Sequence, residues 1–269
     1  MITTRIIEGS AKMARRYEID DAQWEQIRPF LGNTPKKTGR PQADNRKLLN
    51  GVLWIMHTGA PWRDLPEYYG PWQTVYKRFS QWDKDEKLKQ LFESVRKNSD
   101  MQDLCIDGTY IKAHRSSAGA KKGLRDMIII SILESAEGGR STKIHAVVDG
   151  LGYPLALELT GGQVHDGVMM QKCLEQLDIS GSTVLADKAY GSWENREYIA
   201  NHDADFCIPP KSNSVDPWYT DFCHYKERYL VECFFMKIKD HRRIAMRFEK
   251  LACRFLACIH LAATLLWLA

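Results

Sequence analysis

Polar and apolar positions fall into two textures along the chain. From Asp20 to Leu31 (DDAQWEQIRPFL), Trp24, Ile27 and Leu31 recur at helical intervals, and Asp20 with Gln23 has the spacing of a capping box. The stretch TPKKTGRPQ at 34–42, with its prolines and glycine, breaks the pattern as a loop. Leu48, Leu49, Val52, Leu53 and Met56 then form the apolar face of a second helix, capped by Asp44 or Asn45 and ended at Gly59. After a turn-rich bridge, GAPWRDLPEYYGPW, a third helix is expected from Trp72 to Trp82. It carries Gln73, Thr74, Lys77, Arg78 and Gln81 on one side and Val75, Phe79 and Trp82 on the other. A polar-faced helix after a short connection is the outline of a helix-turn-helix DNA reader, and equally of a plain helical bundle.

From Met101 the texture changes to short β-rich runs: DLCIDGTYIKAH, STKIHAVVDGLGYPLALELT, STVLADKAYG and DFCIPPK. The second predicts a hairpin around Asp149-Gly150-Leu151-Gly152, because glycine and Asp-Gly supply the backbone of a tight turn. Helical patterns return at 168–177, 193–202 and from Tyr225 onward, so strands followed by alternating strands and helices predict an α/β domain with a mixed sheet. The most apolar stretch, FLACIHLAATLLWLA at 255–269, falls short of the roughly 20 residues of a membrane span and contains His260. It predicts a buried helix and no membrane association.

A chain of 269 residues can hold one large catalytic domain and a small helical one without disulfides or structural metal. The seven cysteines are odd in number, scattered and without a Cys-x-x-Cys pair, which excludes a disulfide framework and a zinc finger and predicts reduced, mostly buried thiols. Residues 1–12 lack the apolar core of a signal peptide and are expected to form a disordered leader, with either Met1 or Met13 as the start. The net charge of +4 is unevenly spread: basic residues cluster at 36–40, 112–125 and 237–250, as expected for a surface that meets a polyanion. Each cluster alone also fits a solvated face.

Candidate chemistry lies in three acids. Asp107 ends the apolar run Leu104-Cys105-Ile106 and precedes Gly108, which permits close approach; Asp187 ends Thr183-Val184-Leu185-Ala186 in the same way. Carboxylates at the ends of buried strands are costly unless paired, hydrogen-bonded or bound to metal. The third is Glu232 in YKERYLVE: at about 100° per residue, Tyr225, Arg228, Glu232 and Lys239 fall within roughly 60° of one another on a helix. An Arg228–Glu232 surface pair is the plain alternative. Three carboxylates suit hard divalent cations such as Mg²⁺ or Mn²⁺, two of which can serve an in-line displacement at phosphorus. The histidines show no zinc-site spacing.

Asp107-Gly108-Thr109, Ala186-Asp187-Lys188-Ala189-Tyr190 and Tyr225-x-x-Arg228-x-x-x-Glu232 with Lys239 resemble the three blocks of the DDE transposases of bacterial insertion sequences, specifically the insertion-sequence-five type. The resemblance runs from about Met13 to Ala269. It implies a ribonuclease-H-like mixed sheet with flanking helices at 100–269, preceded at 13–95 by a small all-helical DNA-binding domain, with Asp107 on the first strand, Asp187 on the fourth and Glu232 on a following helix. It implies metal-dependent cleavage and strand transfer of inverted-repeat ends, with Asp107, Asp187 and Glu232 holding two Mg²⁺ or Mn²⁺ ions. Tyr225, Arg228 and Lys239 would contact end DNA, and Lys77 and Arg78 are the matching candidates on the third helix. Double-stranded DNA is the implied partner, a homodimer or higher form the implied synaptic state, and the bacterial cytoplasm, on the nucleoid, the implied location. Lys143, His145, Gln163, His165 and Asp166 stand where the family has recurring polar residues, without an assigned role. A DNA-binding relic with a dead core and a nuclease without strand transfer are the competing functions.

One segment departs from the family. Where a polar glycine- and serine-rich loop usually leads into Gly138-Gly139-Arg140-Ser141-Thr142-Lys143-Ile144-His145, this chain has LRDMIIISILESAEG. The run Met127 to Leu133 is expected to be an extra buried strand, or the product of two compensating frame slips that leaves an inactive protein.

Overall fold

The computed structural model describes residues 16–33, 43–117, 135–136 and 139–269. The leader at 1–12, the basic stretch at 34–42 and the apolar run at 127–133 lie outside them.

Four helices come first, and local chemistry sets their ends. Helix α1 (Asp21–Leu31) starts with the capping box of Asp20 and Gln23, each side chain accepting the other's backbone N–H. Helix α2 (Asn45–Thr58) is capped by Asp44, which accepts the Arg46 N–H, and stops at Gly59 in the left-handed region with φ 71°. A side chain at 59 would be strained there and would also sit 3.1 Å from Arg242 Cβ. Helix α3 (Trp72–Lys84) buries Val75, Phe79 and Trp82, as its pattern predicts. Helix α4 (Lys87–Val95) follows almost at once, after a left-handed Glu86, and buries Leu88, Leu91 and Phe92. The bridge from α2 to α3 contains two 3-10 turns, Trp62–Asp64 and Glu67–Tyr69, and is longer than the three or four residues of a helix-turn-helix turn.

The second texture folds into a seven-stranded mixed sheet. Its strands are β1 (Asp103–Ala113), β2 (Ser135–Ala136), β3 (Gly139–Val148), β4 (Pro154–Gly161), β5 (Thr183–Leu185), β6 (Asp205–Cys207) and β7 (Met246–Arg247). Without the two-residue strands the order is β4-β3-β1-β5-β6: an antiparallel meander of three strands, continued by two parallel ones. This is the expected ribonuclease-H-like sheet. The β3–β4 hairpin turns at Asp149, whose buried carboxylate accepts the N–H groups of Leu151 at 3.0 Å and Tyr153 at 2.8 Å.

The interleaved helices are α5 (Met170–Leu174), α6 (Trp193–Ala200), α7 (Phe222–Tyr225), α8 (Tyr229–Lys239), α9 (Arg242–Ala245) and α10 (Ala252–Trp267). Side chains alternate along the strands, so the sheet has two apolar faces. Cys105, Ile111, Ile144, Ala146 and Val148 join α8, α10 and α1–α4 in one core. Leu104, Ile106, Val147, Val184 and Ala186 join α5 and Ile199 of α6 in the other. Helix α10 is the shared wall: it packs on α3 and α4 and on β4, with Arg254 paired to Asp83 of α3 and the Trp267 indole donating to the Pro154 carbonyl at 2.9 Å. Among the described residues no helix is long and apolar enough to cross a membrane.

Burial holds three histidines neutral. Desolvation pulls His260 down to about 3, helped by the charges of Lys89 and Arg96; it pulls His241 to about 3 and His145 to about 4. Below pH 6.5 the unfolded chain binds protons that these folded histidines refuse. Their contribution to stability is therefore complete above pH 6.5 and falls as the pH drops from there toward 4, each histidine contributing about 1.4 kcal/mol per pH unit. His260 stacks on Phe92, so His260→Phe should keep the packing and flatten the decline by one such increment in urea unfolding at pH 7.5, 6.0 and 5.0.

Candidate active site

Strand β1 is longer than the strands on one of its edges. Strand β5 pairs with it only from Asp103 to Cys105, and β7 only at Lys112 and Ala113. Along this edge, among the described residues, Ile106 to Ile111 have no strand partner, while the opposite edge is paired with β3 throughout. Asp107, Gly108 and Thr109 lie in that opening. The sequence pattern put Asp107 at the end of its strand; instead the strand continues to Ala113, because alternation persists through Thr109, Tyr110 and Ile111.

Asp187 follows β5 by two residues, and its Oδ1 accepts the Ala189 N–H at 2.7 Å. Glu232 stands in the first turn of α8 with its side chain half exposed. Between the first and third acids sits Arg228. Its guanidinium donates to Asp107 Oδ2 at 2.8 Å and to Glu232 Oε1 at 2.5 Å. The Arg228–Glu232 pair expected at i, i+4 is thus present, and it is half of a bridge that reaches the strand. Lys239 Nζ donates to Thr109 Oγ1 at 2.7 Å. Tyr225 lies beside Arg228, with the guanidinium 5.8 Å from its ring centre. The helix is not continuous through this block, since Lys226–Arg228 form a 3-10 turn between α7 and α8.

Electrostatics tie Asp187 to the same place. Burial pushes the Asp107 carboxyl above its ordinary range, and the charges of Asp187 and Asp166 push it further, against the Gly108 N–H and Arg228. Burial lowers Lys239. Lys77 and Arg78 are not part of this cluster: they sit on α3, which packs on α2, α4 and α10.

Other groups surround Asp107 that the sequence pattern left without a role. Lys143 Nζ lies 3.0 Å from Asp166 Oδ1, and His145 Nδ1 lies 3.6 Å from the same oxygen. Lys143 and His145 are two residues apart on β3, opposite Tyr110 and Gly108. Polar residues at i and i+2 of an apolar strand share one face, and that spacing is the signal that could have marked them. His165 only caps the following turn, through its Nδ1 to the Gly167 N–H.

The donor chemistry of Asp107, Asp187 and Glu232 fits a hard divalent cation: all are carboxylate oxygens, and two of them already converge on a cationic group. Among the described residues no three acidic, histidine or cysteine side chains close around one point; the guanidinium of Arg228 stands between Asp107 and Glu232.

Residues 19–92 match the family described as "Putative transposase of IS4/5 family", and 98–217 and 184–269 match two families described as "Transposase DDE domain". A Brucella ovis protein, "Putative transposase for insertion sequence element IS6501", is 40% identical over 131 residues, which are 48% of this chain and 98% of that protein. The chain belongs to the DDE transposases of insertion sequences. A Sinorhizobium fredii relative, "Uncharacterized protein y4sN", is 38% identical to this transposase over 103 residues, 38% of the chain and 82% of that protein. A pre-cleavage Mos1 transpososome structure superposes with a TM-score of 0.28 at 11% identity, covering 87% of this chain and 80% of that one. A superposition that loose carries no weight, and the fold rests on the strand order itself. Enzymes of this family use divalent metal ions.

Gly108 matters to this transposase for space. A β-carbon there would stand 2.5 Å from Asp166 Oδ1 and 3.2 Å from His145 Nδ1. Gly108→Ala is therefore expected to displace Asp166 from Lys143, at about 1–3 kcal/mol of stability, read by urea unfolding at pH 7.5.

Proposed function

We propose that Asp107, Asp187 and Glu232 form the acid triad of this DNA transposase, and that Tyr225, Arg228 and Lys239 hold the end DNA beside them. The observation that carries this reading is the Arg228 bridge: one side chain gathers the first and third acids, 121 and 4 residues away in sequence, at one opening in the sheet. Bound at these three acids, Mg²⁺ or Mn²⁺, as two ions, would activate the attacking oxygen and offset charge on the leaving one.

The protein's own residues do the positioning. Thr109 fixes Lys239, a compact cation suited to a phosphate oxygen. Arg228 presents a planar fork matched to carboxylate and phosphate alike, so an arriving phosphate can take over donors that now serve Asp107 and Glu232. In the reaction, water adds at phosphorus and the 3′ oxygen leaves with a proton; the freed 3′-hydroxyl then attacks a phosphodiester of target DNA, losing its proton as the P–O bond to the target's own 3′ oxygen breaks and that oxygen leaves with a proton. Residues 100–269 carry that chemistry in our reading, while residues 13–95 read the ends through α3, with Lys77 and Arg78 on phosphates. A homodimer or larger assembly on the nucleoid would pair two ends.

The test is cleavage and joining of a labelled inverted-repeat duplex with Mg²⁺ or Mn²⁺. Asp187→Ala and Asp107→Asn are expected to lower both on the order of 10³-fold or more without moving the melting temperature. Nicked DNA that is never joined would indicate a nuclease, and specific binding without cleavage a relic. Lys77→Ala and Arg78→Ala should each weaken end binding uniformly across sequences and lower its salt slope by about 1, measured by fluorescence anisotropy between 50 and 200 mM salt.

A further inference from the structure

We propose that Asp166 is a fourth carboxylate of the metal centre, reaching the opening in the sheet from the face opposite Glu232 and held there by Lys143 and His145. The inference rests on the assignment of Asp107 and Asp187 as metal-holding acids and extends that donor set. Geometry carries it first. Asp107 and Thr109 face α8, with Arg228 and Lys239, whereas Gly108 faces the other layer, where the would-be β-carbon position lies 2.5 Å from Asp166 Oδ1. The missing side chain at 108 lets Asp166 press against the strand one residue from Asp107.

The surroundings of Asp166 are built. Lys143 is 1% exposed and lies under the Tyr110 ring, its ammonium donating to the Val164 carbonyl at 2.8 Å and pairing with Asp166 Oδ1. His145 is fully buried, with Nε2 at 2.8 Å from Thr160 Oγ1 and Nδ1 turned toward Asp166 without a hydrogen bond. The Tyr190 hydroxyl is also buried and without a hydrogen-bond partner, and the charges that reach it include those of Asp166, Asp107 and Asp187. Oδ1 of Asp166 is itself buried and without a hydrogen bond, so the 27% of that side chain still open belongs to its remaining atoms.

A purely structural ion pair does not call for this arrangement. Burying a lysine against a carboxylate generally stabilises no more than two apolar side chains in the same space, and two unpartnered polar atoms beside the pair add cost. A site that gathers carboxylates around one opening does call for it: Lys143 offsets the charge that Asp166 adds near Asp107 and Asp187.

The test is Mn²⁺ binding to the full chain with an inverted-repeat duplex, followed by the electron paramagnetic resonance of the free ion, for wild type, Asp107→Asn and Asp166→Asn. We expect each variant to weaken binding at least tenfold. Wild-type affinity in Asp166→Asn alongside loss in Asp107→Asn overturns this proposal and leaves the triad standing. Binding that Asp107→Asn leaves unchanged, or that wild type lacks, overturns both. Asp166→Cys separates ligation from folding, because a thiolate prefers soft cations. Its Cd²⁺ over Mn²⁺ preference should rise at least tenfold relative to wild type, and an unchanged preference means that Asp166 only holds the fold.

Discussion

A mismatch in strand length organises this molecule. Strand β1 is held along one edge by β3, but on the other edge β5 ends early and β7 begins late. Among the described residues, six positions of this central strand are left without a ladder partner on that side, and elements from both layers reach them. A continuous sheet would wall the two layers off from each other. Here α8 approaches from one side with Arg228, Glu232 and Lys239, while the loop after β4 approaches from the other with Asp166. Gly108, without a side chain, leaves the room that Asp166 occupies.

The same opening has to accommodate repulsion. Burial raises the Asp107 carboxyl and the charges of Asp187 and Asp166 add to the rise, so hydrogen bonds and opposite charge are needed to make such a cluster tolerable in a part-buried setting. Cations on both faces supply it, Arg228 on one and Lys143 on the other. They differ in kind. Arg228 is a part-exposed fork shared between two carboxylates, whereas Lys143 is sealed under Tyr110 and stays with its partner.

Much of this was legible in the amino-acid pattern, and the reasons are local. Asp20 with Gln23, Asp44 before α2 and Gly59 after it act within one helical turn, so spacing alone locates them. The hairpin at Asp149 and the buried α10 follow from turn chemistry and an unbroken apolar run. Asp107 and Asp187 could be picked out because a carboxylate beside buried strand residues is anomalous. What escaped were effects of distance. The short α4 carries few residues to establish a period, and Arg228, at the end of the 3-10 turn Lys226–Arg228, finds its partner Asp107 121 residues away. The Lys143–Asp166 pair likewise spans 23 positions and two elements, which no window of periodicity covers.

Helix α10 closes a circuit between the ends of the described chain. It completes the core of α3 and α4, residues made well over a hundred positions earlier, and Gln23 of α1 donates to the Leu268 carbonyl just beyond it. During synthesis the helical region emerges first yet cannot finish its interior until α10 has left the ribosome, and until then its apolar faces lack that partner. A nascent chain in that state is sticky and short of its final form. The early helices and the sheet therefore reach their final packing through one shared element, so loosening either loosens the other.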